Sequence, residues 1–344
     1  MSGTLSIEER ICANAPSNEM AWTALAIACG NVRQSLIYDR VQSPYRQTPV
    51  FFELWSGGEL VAGIRGFRSE ARRLRPLLAP LSRSMAFHGE CLVKDSDSGP
   101  AMAEALSQMI AKYLVDKRFV RARVSGAFGA PHGLILRLDL PVAQTKTYAN
   151  AWIDLSRDEE DLLKAVHEKH RAEIRKAARR GLRVEEVTDV EVLLKLMRAT
   201  YASQDKDGPS EAFVRHCVRT FLDAGAGQIF VAVKDVPVAA AFLSLCGATA
   251  AYEFGGHAAD SDGGGQLLLW EACLRSKHAG RTRLTLGQVA IGEEGDPKFV
   301  NGISRFKRRF GSADDPTQDV SWLLSPPKAR AFELFSRMGQ AWTR

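Results

Sequence analysis

The ten residues Gly302-Ile-Ser-Arg-Phe-Lys-Arg-Arg-Phe-Gly311 hold two phenylalanines and four cations between glycines. As a helix, this run sets Ile303, Phe306 and Phe310 on one apolar stripe and fans Arg305, Lys307, Arg308 and Arg309 around the rest. Such a stripe fixes the cations in place, where they suit a polyanionic ligand. Arg305, Arg308 and Arg309 are candidates for phosphate contact, Phe306 for substrate contact, and Phe306 and Phe310 together for a core anchor. Glu253, within Ala250–Phe254, is a carboxylate among aromatic neighbours that burial would turn into a general base. Tyr252 points to the opposite side of the same strand, and His257 after Gly255-Gly256 is an alternative base. Asp262-Gly-Gly-Gly-Gln266 directly precedes an amphipathic helix, an arrangement in which backbone amides can face phosphate. Gly263 and Gly265 are its binding glycines only if the ligand is coenzyme A, and Asp260 and Asp262 oppose an anion.

A second set of cations, Arg171, Arg175 and Lys176, falls in a pattern that predicts one helix from Arg157 to Arg180. Its i, i+4 spacing puts Arg171 and Arg175 on one face, with Glu160, Glu168 and Glu173 near enough to pair with part of the charge. Across 344 residues the net charge is +6, and the excess clusters at Arg65–Arg83, Lys164–Arg183 and Arg305–Arg309. Clustered basic charge favours a nucleotide, coenzyme A, RNA or an anionic headgroup without choosing among them. The six cysteines (Cys12, Cys29, Cys91, Cys217, Cys246 and Cys273) form no C-x-x-C pair, so they are read as reduced thiols and not as a zinc site or a disulfide framework. No stretch approaches the ~18 apolar residues of a membrane span, and Met1–Met20 lacks the basic start and apolar run of a secretion signal. The expected location is the cytoplasm.

The elements that must position these residues repeat their order. Val50–Trp55 and Glu59–Ile64 read as a hairpin across Ser56-Gly57-Gly58, and Gln228–Val233 and Pro237–Phe242 as a second hairpin across Lys234-Asp235-Val236. In each half a third strand follows (Ala86–Val93; Thr249–Phe254), then a helix (Ala101–Val115; Gln266–Lys277), then a further strand (Phe119–Val124; Arg283–Leu286). That order is similar to an acetyltransferase-like module of the GNAT type. The fold expected is therefore α+β: two tandem GNAT-like modules, each a mixed, mainly antiparallel sheet flanked by helices. The boundary is placed at about 150, giving modules 1–150 and 151–344, and the segment after about 316 is expected to pack back on the first.

Segments in order also resemble the FemABX-type aminoacyltransferases and the related CelD/BioF-like double-GNAT acetyltransferases. They are Trp152-Ile-Asp-Leu155, Glu160–Leu163, Lys169–Gly181, Tyr252-Glu-Phe-Gly-Gly256, Leu267–Ala272 and Gly302–Gly311. The first half matches only at Trp22 and Gln34–Tyr38. The resemblance implies a transferase passing an activated acyl group to the free amine of a small molecule or cell-wall precursor. In the best-known members the group is an amino acid carried by tRNA. It implies no metal and no tightly bound cofactor, with an acyl-CoA or acyl-carrier thioester as the alternative donor. Lys307 matches the lysine of the family's F-K-x-x-F-G motif, implying a role in stabilising charge during transfer. Arg40 lies near the place where a lysine serves acceptor phosphates in some relatives. Thr285 stands where an acidic residue is common and Gln204 near where tRNA-dependent members carry arginine. These departures leave a second alternative, a non-catalytic binding module.

Overall fold

The computed structural model describes residues 7–341 except 46, 71–78, 127–133, 135, 205–206 and 292–301, with side chains described to residue 335. Contacts divide the chain into two units, residues 1–147 with 317–344, and residues 148–316.

In the first unit the chain runs β1 (Ile7–Ala13), α1 (Glu19–Ala28), α2 (Leu36–Gln42), β2 (Thr48–Ser56), β3 (Glu59–Ser69), α3 (Ala79–Ser82), β4 (Ser84–His88), β5 (Leu92–Val93), α4 (Gly99–Asp116) and β6 (Arg121–Ser125). β1, β2, β3 and β4 pair antiparallel in that order, and β6 lies parallel to β4. The run Val50–Trp55 is apolar on both sides because both sides are covered. Val50, Phe52 and Leu54 join the α4 side of the core, while Phe51 and Trp55 pack with Trp22 of α1. Trp22 lies so close over β3 that a Cβ on Gly63 would stand 2.8 Å from its ring, and its indole N–H donates to the Gln34 carbonyl at 2.8 Å. Glu53, buried within the run, accepts from the Ser17 amide at 2.9 Å and the Trp55 indole at 2.8 Å, as a buried carboxylate must.

The third strand expected over Ala86–Val93 is two pieces, β4 and β5. Gly89 adopts φ +78, and the Asn31 side chain holds the turned backbone by donating to the Glu90 carbonyl at 3.2 Å.

β7 (Val142–Asp154) carries the chain into the second unit. It is followed by α5 (Glu159–Ala165), α6 (Glu168–Arg179), β8 (Arg183–Val187), α7 (Val190–Ser203), α8 (Glu211–Asp223), β9 (Gly227–Val233), β10 (Pro237–Cys246), β11 (Thr249–His257), α9 (Gly264–His278), β12 (Arg283–Val289) and α10 (Gly302–Arg308). The order here is β7-β12-β11-β10-β9-β8, with β11 and β12 parallel and the other neighbours antiparallel. β13 (Ala313–Leu323) then returns to the first unit and pairs antiparallel with β6, ahead of α11 (Pro326–Ala341). Each unit thus holds a hairpin, a third strand, a helix and a parallel strand, as the repeated order predicts.

The single helix expected from Arg157 to Arg180 is two helices. Val166 is extended, and His167 caps α6 by accepting the Lys169 amide at 3.2 Å on its own Nδ1. The His167 amide in turn donates to the Arg309 carbonyl at 2.8 Å. The break seats the Gly302–Gly311 segment. No described helix is long and apolar enough to cross a membrane.

Candidate active site

In the second unit the parallel pair at the centre of the sheet comes apart. β11 pairs with β12 only where Thr249–Ala251 meet Arg283–Thr285. Beyond that level β11 stays on β10, while Gly287–Val289 of β12 stay on β7. Both strands carry an irregularity at the point of parting. Glu253 is the extra residue between Tyr252 and Phe254, which pair with Leu243 and Phe242, and Leu286 is the extra residue between Thr285 and Gly287. An extra residue bends its strand and increases its twist, and Gly287 permits the bend in β12 with φ +76. A wedge therefore opens in the sheet, beside the loop that leads into α9. In the first unit the equivalent pair is closed: Ser84–His88 meet Arg121–Ser125 along the whole length of both strands.

Lys307 sits at the β12 side of this wedge. Its Nζ donates to the Gln288 carbonyl at 2.9 Å, and burial pushes its pKa down to about 8. Neighbouring groups hold α10 in place. Phe306 and Phe310 pack on the imidazole of His170 with ring centroids 5.2 and 4.8 Å away, and that imidazole pairs with the Phe306 carbonyl at 3.1 Å. Burial pushes His170 down to about 4, so the packed ring is neutral. The Ser304 hydroxyl accepts the Ala290 amide at 3.1 Å. Arg308 donates to the Ala290 carbonyl at 2.6 Å and pairs with Asp314 at 2.6 Å.

Other expectations need correction. Ile303 is 48% exposed and does not join the apolar stripe. The helix stops at Arg308, so Phe310 reaches the core from the turn that follows. Arg308 is committed to Asp314 and Ala290, and Arg171 donates to the Val166 and Lys164 carbonyls at 2.6 and 2.8 Å, closing the end of α5. Both guanidiniums thus bind groups of their own unit. Arg305 and Arg175 are exposed, Arg309 is half-buried, and Arg40 is exposed on α2 in the first unit. Arg72, Arg73 and Arg75 lie outside the described residues.

Tyr252 packs against the core of its unit, and burial raises its phenol to about 12. A neutral phenol in packing contact is no base at neutral pH. Glu253 is half-buried and accepts the Ser244 hydroxyl at 2.7 Å. The His257 amide donates to the Thr200 hydroxyl at 2.7 Å, tying the end of β11 to α7.

The α9 entrance is narrower than its glycines suggest. A Cβ on Gly263 would meet the Glu173 carbonyl oxygen at 2.9 Å and a carboxylate oxygen of the same residue at 3.2 Å, whereas Gly265 faces open space. Asp262 pairs with Arg180. This helix start therefore lies against Glu173, whose carboxylate pairs with Lys176 at 3.6 Å.

Sequence reasoning missed the wedge and His170. The spacing of His170, Ile174 and Ala177 along the buried face of α6 was the available signal for the histidine. Gly256 has a simpler origin: a Cβ there would stand 2.4 Å from the backbone of Leu196 and Met197 in α7. Gly256→Ala is expected to cost about 3 kcal/mol, since backbone cannot yield as a side chain can. Thermal unfolding of the variant beside the parent checks this.

Residues 166–308 match the family described as the acetyltransferase (GNAT) domain. Among solved structures, FemX shares 11% identity at a TM-score of 0.72, over 94% of this chain and 99% of that one. L-PGS from Bacillus licheniformis shares 12% at 0.54, over 94% and 96%. A tandem GNAT protein from the clavulanic acid biosynthesis pathway shares 12% at 0.52, over 93% and 99%. No curated protein matches in sequence. The family match thus falls within the second unit, and the likeness to solved structures is one of fold. The chain as a whole has the FemX-like tandem GNAT fold.

Proposed function

We propose that the protein transfers an aminoacyl group from aminoacyl-tRNA to the free amine of an acceptor, forming an amide. The observation that carries acyl transfer is the wedge between β11 and β12, a slot in which an extended acyl donor can lie with its carbonyl near Lys307. The acceptor nitrogen attacks that carbonyl, the carbonyl oxygen becomes an oxyanion, and collapse breaks the ester C–O bond. The amine proton leaves through Glu253, and the ribose oxygen takes a proton as it departs. Lys307, held by Gln288, stabilises the oxyanion, and an already activated ester needs no side-chain nucleophile.

Two observations favour tRNA as carrier. The α9 start presents Glu173 and Asp262 already paired with Lys176 and Arg180, so the cations beside it are engaged and not offered to a compact pyrophosphate. The exposed cations of α6, Lys169, Arg175 and Arg179, instead spread charge as a long polyanion requires. The reading places the reaction in the cytoplasm. An acyl-CoA or acyl-carrier thioester is the second reading, favoured by the open space at Gly265 and by the acetyltransferase family match. The test supplies charged tRNA and acyl-CoA separately to an amine panel with mass-spectrometric detection. Transfer from charged tRNA that ribonuclease abolishes and rising salt weakens is expected. Transfer that survives ribonuclease and needs Gly265 would replace this donor with the thioester. Stoichiometric binding without turnover would replace transfer with a binding role.

A further inference from the structure

Where β4, β6 and β13 run side by side, the sheet of the first unit has one apolar and one polar face, and transfer chemistry in the second unit leaves the polar face unused. Met85, Phe87, Ala122, Val124, Val320 and Trp322 join the core. Their alternates point the other way. Strand register places Ala86 of β4 and Ser321 of β13 on either side of Arg123 in β6. Two small neighbours leave a trough from whose floor the guanidinium rises. A cavity of about 300 Å³ lies there, lined by His88, Arg123, Ser125, Gln144, Lys146 and Asp319 among others, and one of about 490 Å³ shares Arg123, Gln144 and Ser321 with it.

The charges in the trough are unbalanced. Arg123 and Lys146 are exposed and, among the described residues, make no ion pair. Asp319 is the opposing carboxylate of the lining. Behind them His88 packs edge-on to Tyr38 and near Phe67, with ring centroids 5.8 and 5.9 Å away. Burial, followed by Arg33, Arg123 and Arg65, holds its imidazole down to about 3. His88 is therefore a neutral wall on which three arginine charges bear. Arg65 is answered by Asp39 at 2.5 Å, whereas Arg123 faces the cavity.

We propose that this trough is an anion site for a phosphate group, with Arg123 as the bidentate donor and Lys146 as the second cation. A planar guanidinium matches two phosphate oxygens and an ammonium adds a point charge, while Ser125, Ser321 and Gln144 offer further hydrogen bonds. The site is separate from the donor wedge, and it is read as holding a phosphorylated acceptor only by resting on the transfer proposed above.

Calorimetric titration of the full-length protein with inorganic phosphate, pyrophosphate and sulfate tests the site without donor or turnover, so a failed donor experiment leaves it standing. Saturable binding is expected for phosphate or pyrophosphate over sulfate, the better of the two telling a phosphate monoester from a diphosphate. Arg123→Gln should weaken it ~10-fold or more, the loss of one charge-assisted contact, and Lys146→Gln should also weaken it. Lys112→Gln, on α4 across the sheet and paired with Asp116 at 2.5 Å, should leave it unchanged, and circular dichroism confirms that each variant is folded. Absence of saturable binding, equal binding of sulfate, or unchanged affinity in Arg123→Gln overturns the proposal.

Discussion

Lys307→Ala is expected to keep the fold and lower turnover by ~100-fold or more, the usual effect of removing one donor aimed at a forming oxyanion. The fold survives because α10 is held by Phe306 and Phe310 on His170, by Ser304 and by Arg308, none of which needs the ammonium. Lys307→Arg should recover little activity, because a planar guanidinium places its charge elsewhere. The pH profile separates two roles for the same side chain. With a pKa of about 8, the amine is ~90% charged at pH 7, so a role as oxyanion stabiliser predicts activity that falls as pH rises through about 8. A role as base predicts the reverse. Arg308 nearby is neutralised by Asp314 and His170 is held uncharged, so neither adds a titration in that range. Linkage has a definite sign here. The folded-state value is depressed below the ordinary 10.5, so between about 8 and 10.5 the unfolded chain binds more protons and stability rises with pH. Rate measured from pH 6 to 10, alongside thermal melts, checks both statements.

The order of elements was legible because hairpins and amphipathic helices are local patterns, written in alternation and glycine turns. The apolar run Val50–Trp55 read correctly as a strand for that reason. Three-dimensional choices were less visible. The break at Val166-His167 is invisible to periodicity, since the helical pattern continues on either side and the histidine cap is decided by contact with Arg309. The commitment of Arg171 and Arg308 to local carbonyls and a carboxylate is likewise a matter of geometry, and a basic run reads the same whether its guanidiniums face ligand or backbone. The wedge was the largest omission. Its causes are two single-residue irregularities, at Glu253 and Leu286, which exist only relative to partner strands. Gly287 was the one residue whose type hinted at them.

The last expectation concerns why the F-K-x-x-F-G run ends in glycine. Gly311 has φ +73, a conformation that costs an L residue roughly 1–2 kcal/mol. A Cβ there would also stand 2.6 to 2.8 Å from Ala165, two of those contacts being backbone atoms at the end of α5. Overpacking against backbone adds about 1–3 kcal/mol, so Gly311→Ala should lose roughly 3 kcal/mol in denaturant unfolding. The functional effect should exceed what lost stability explains. Gly311 fixes the path by which Phe310 enters the core beside His170, and the adjacent Arg309 carbonyl accepts the His167 amide that begins α6. Shifting that turn lifts α10 from β12 and moves the Lys307 ammonium away from Gln288 towards water. Its pKa then returns towards the ordinary lysine value, and the falling limb of the pH–rate profile moves up with it. A variant that melts early yet keeps that limb at about 8 would show that the glycine serves folding alone. A limb displaced upward, with turnover reduced at a temperature where the variant is fully folded, would show that the glycine seats the lysine.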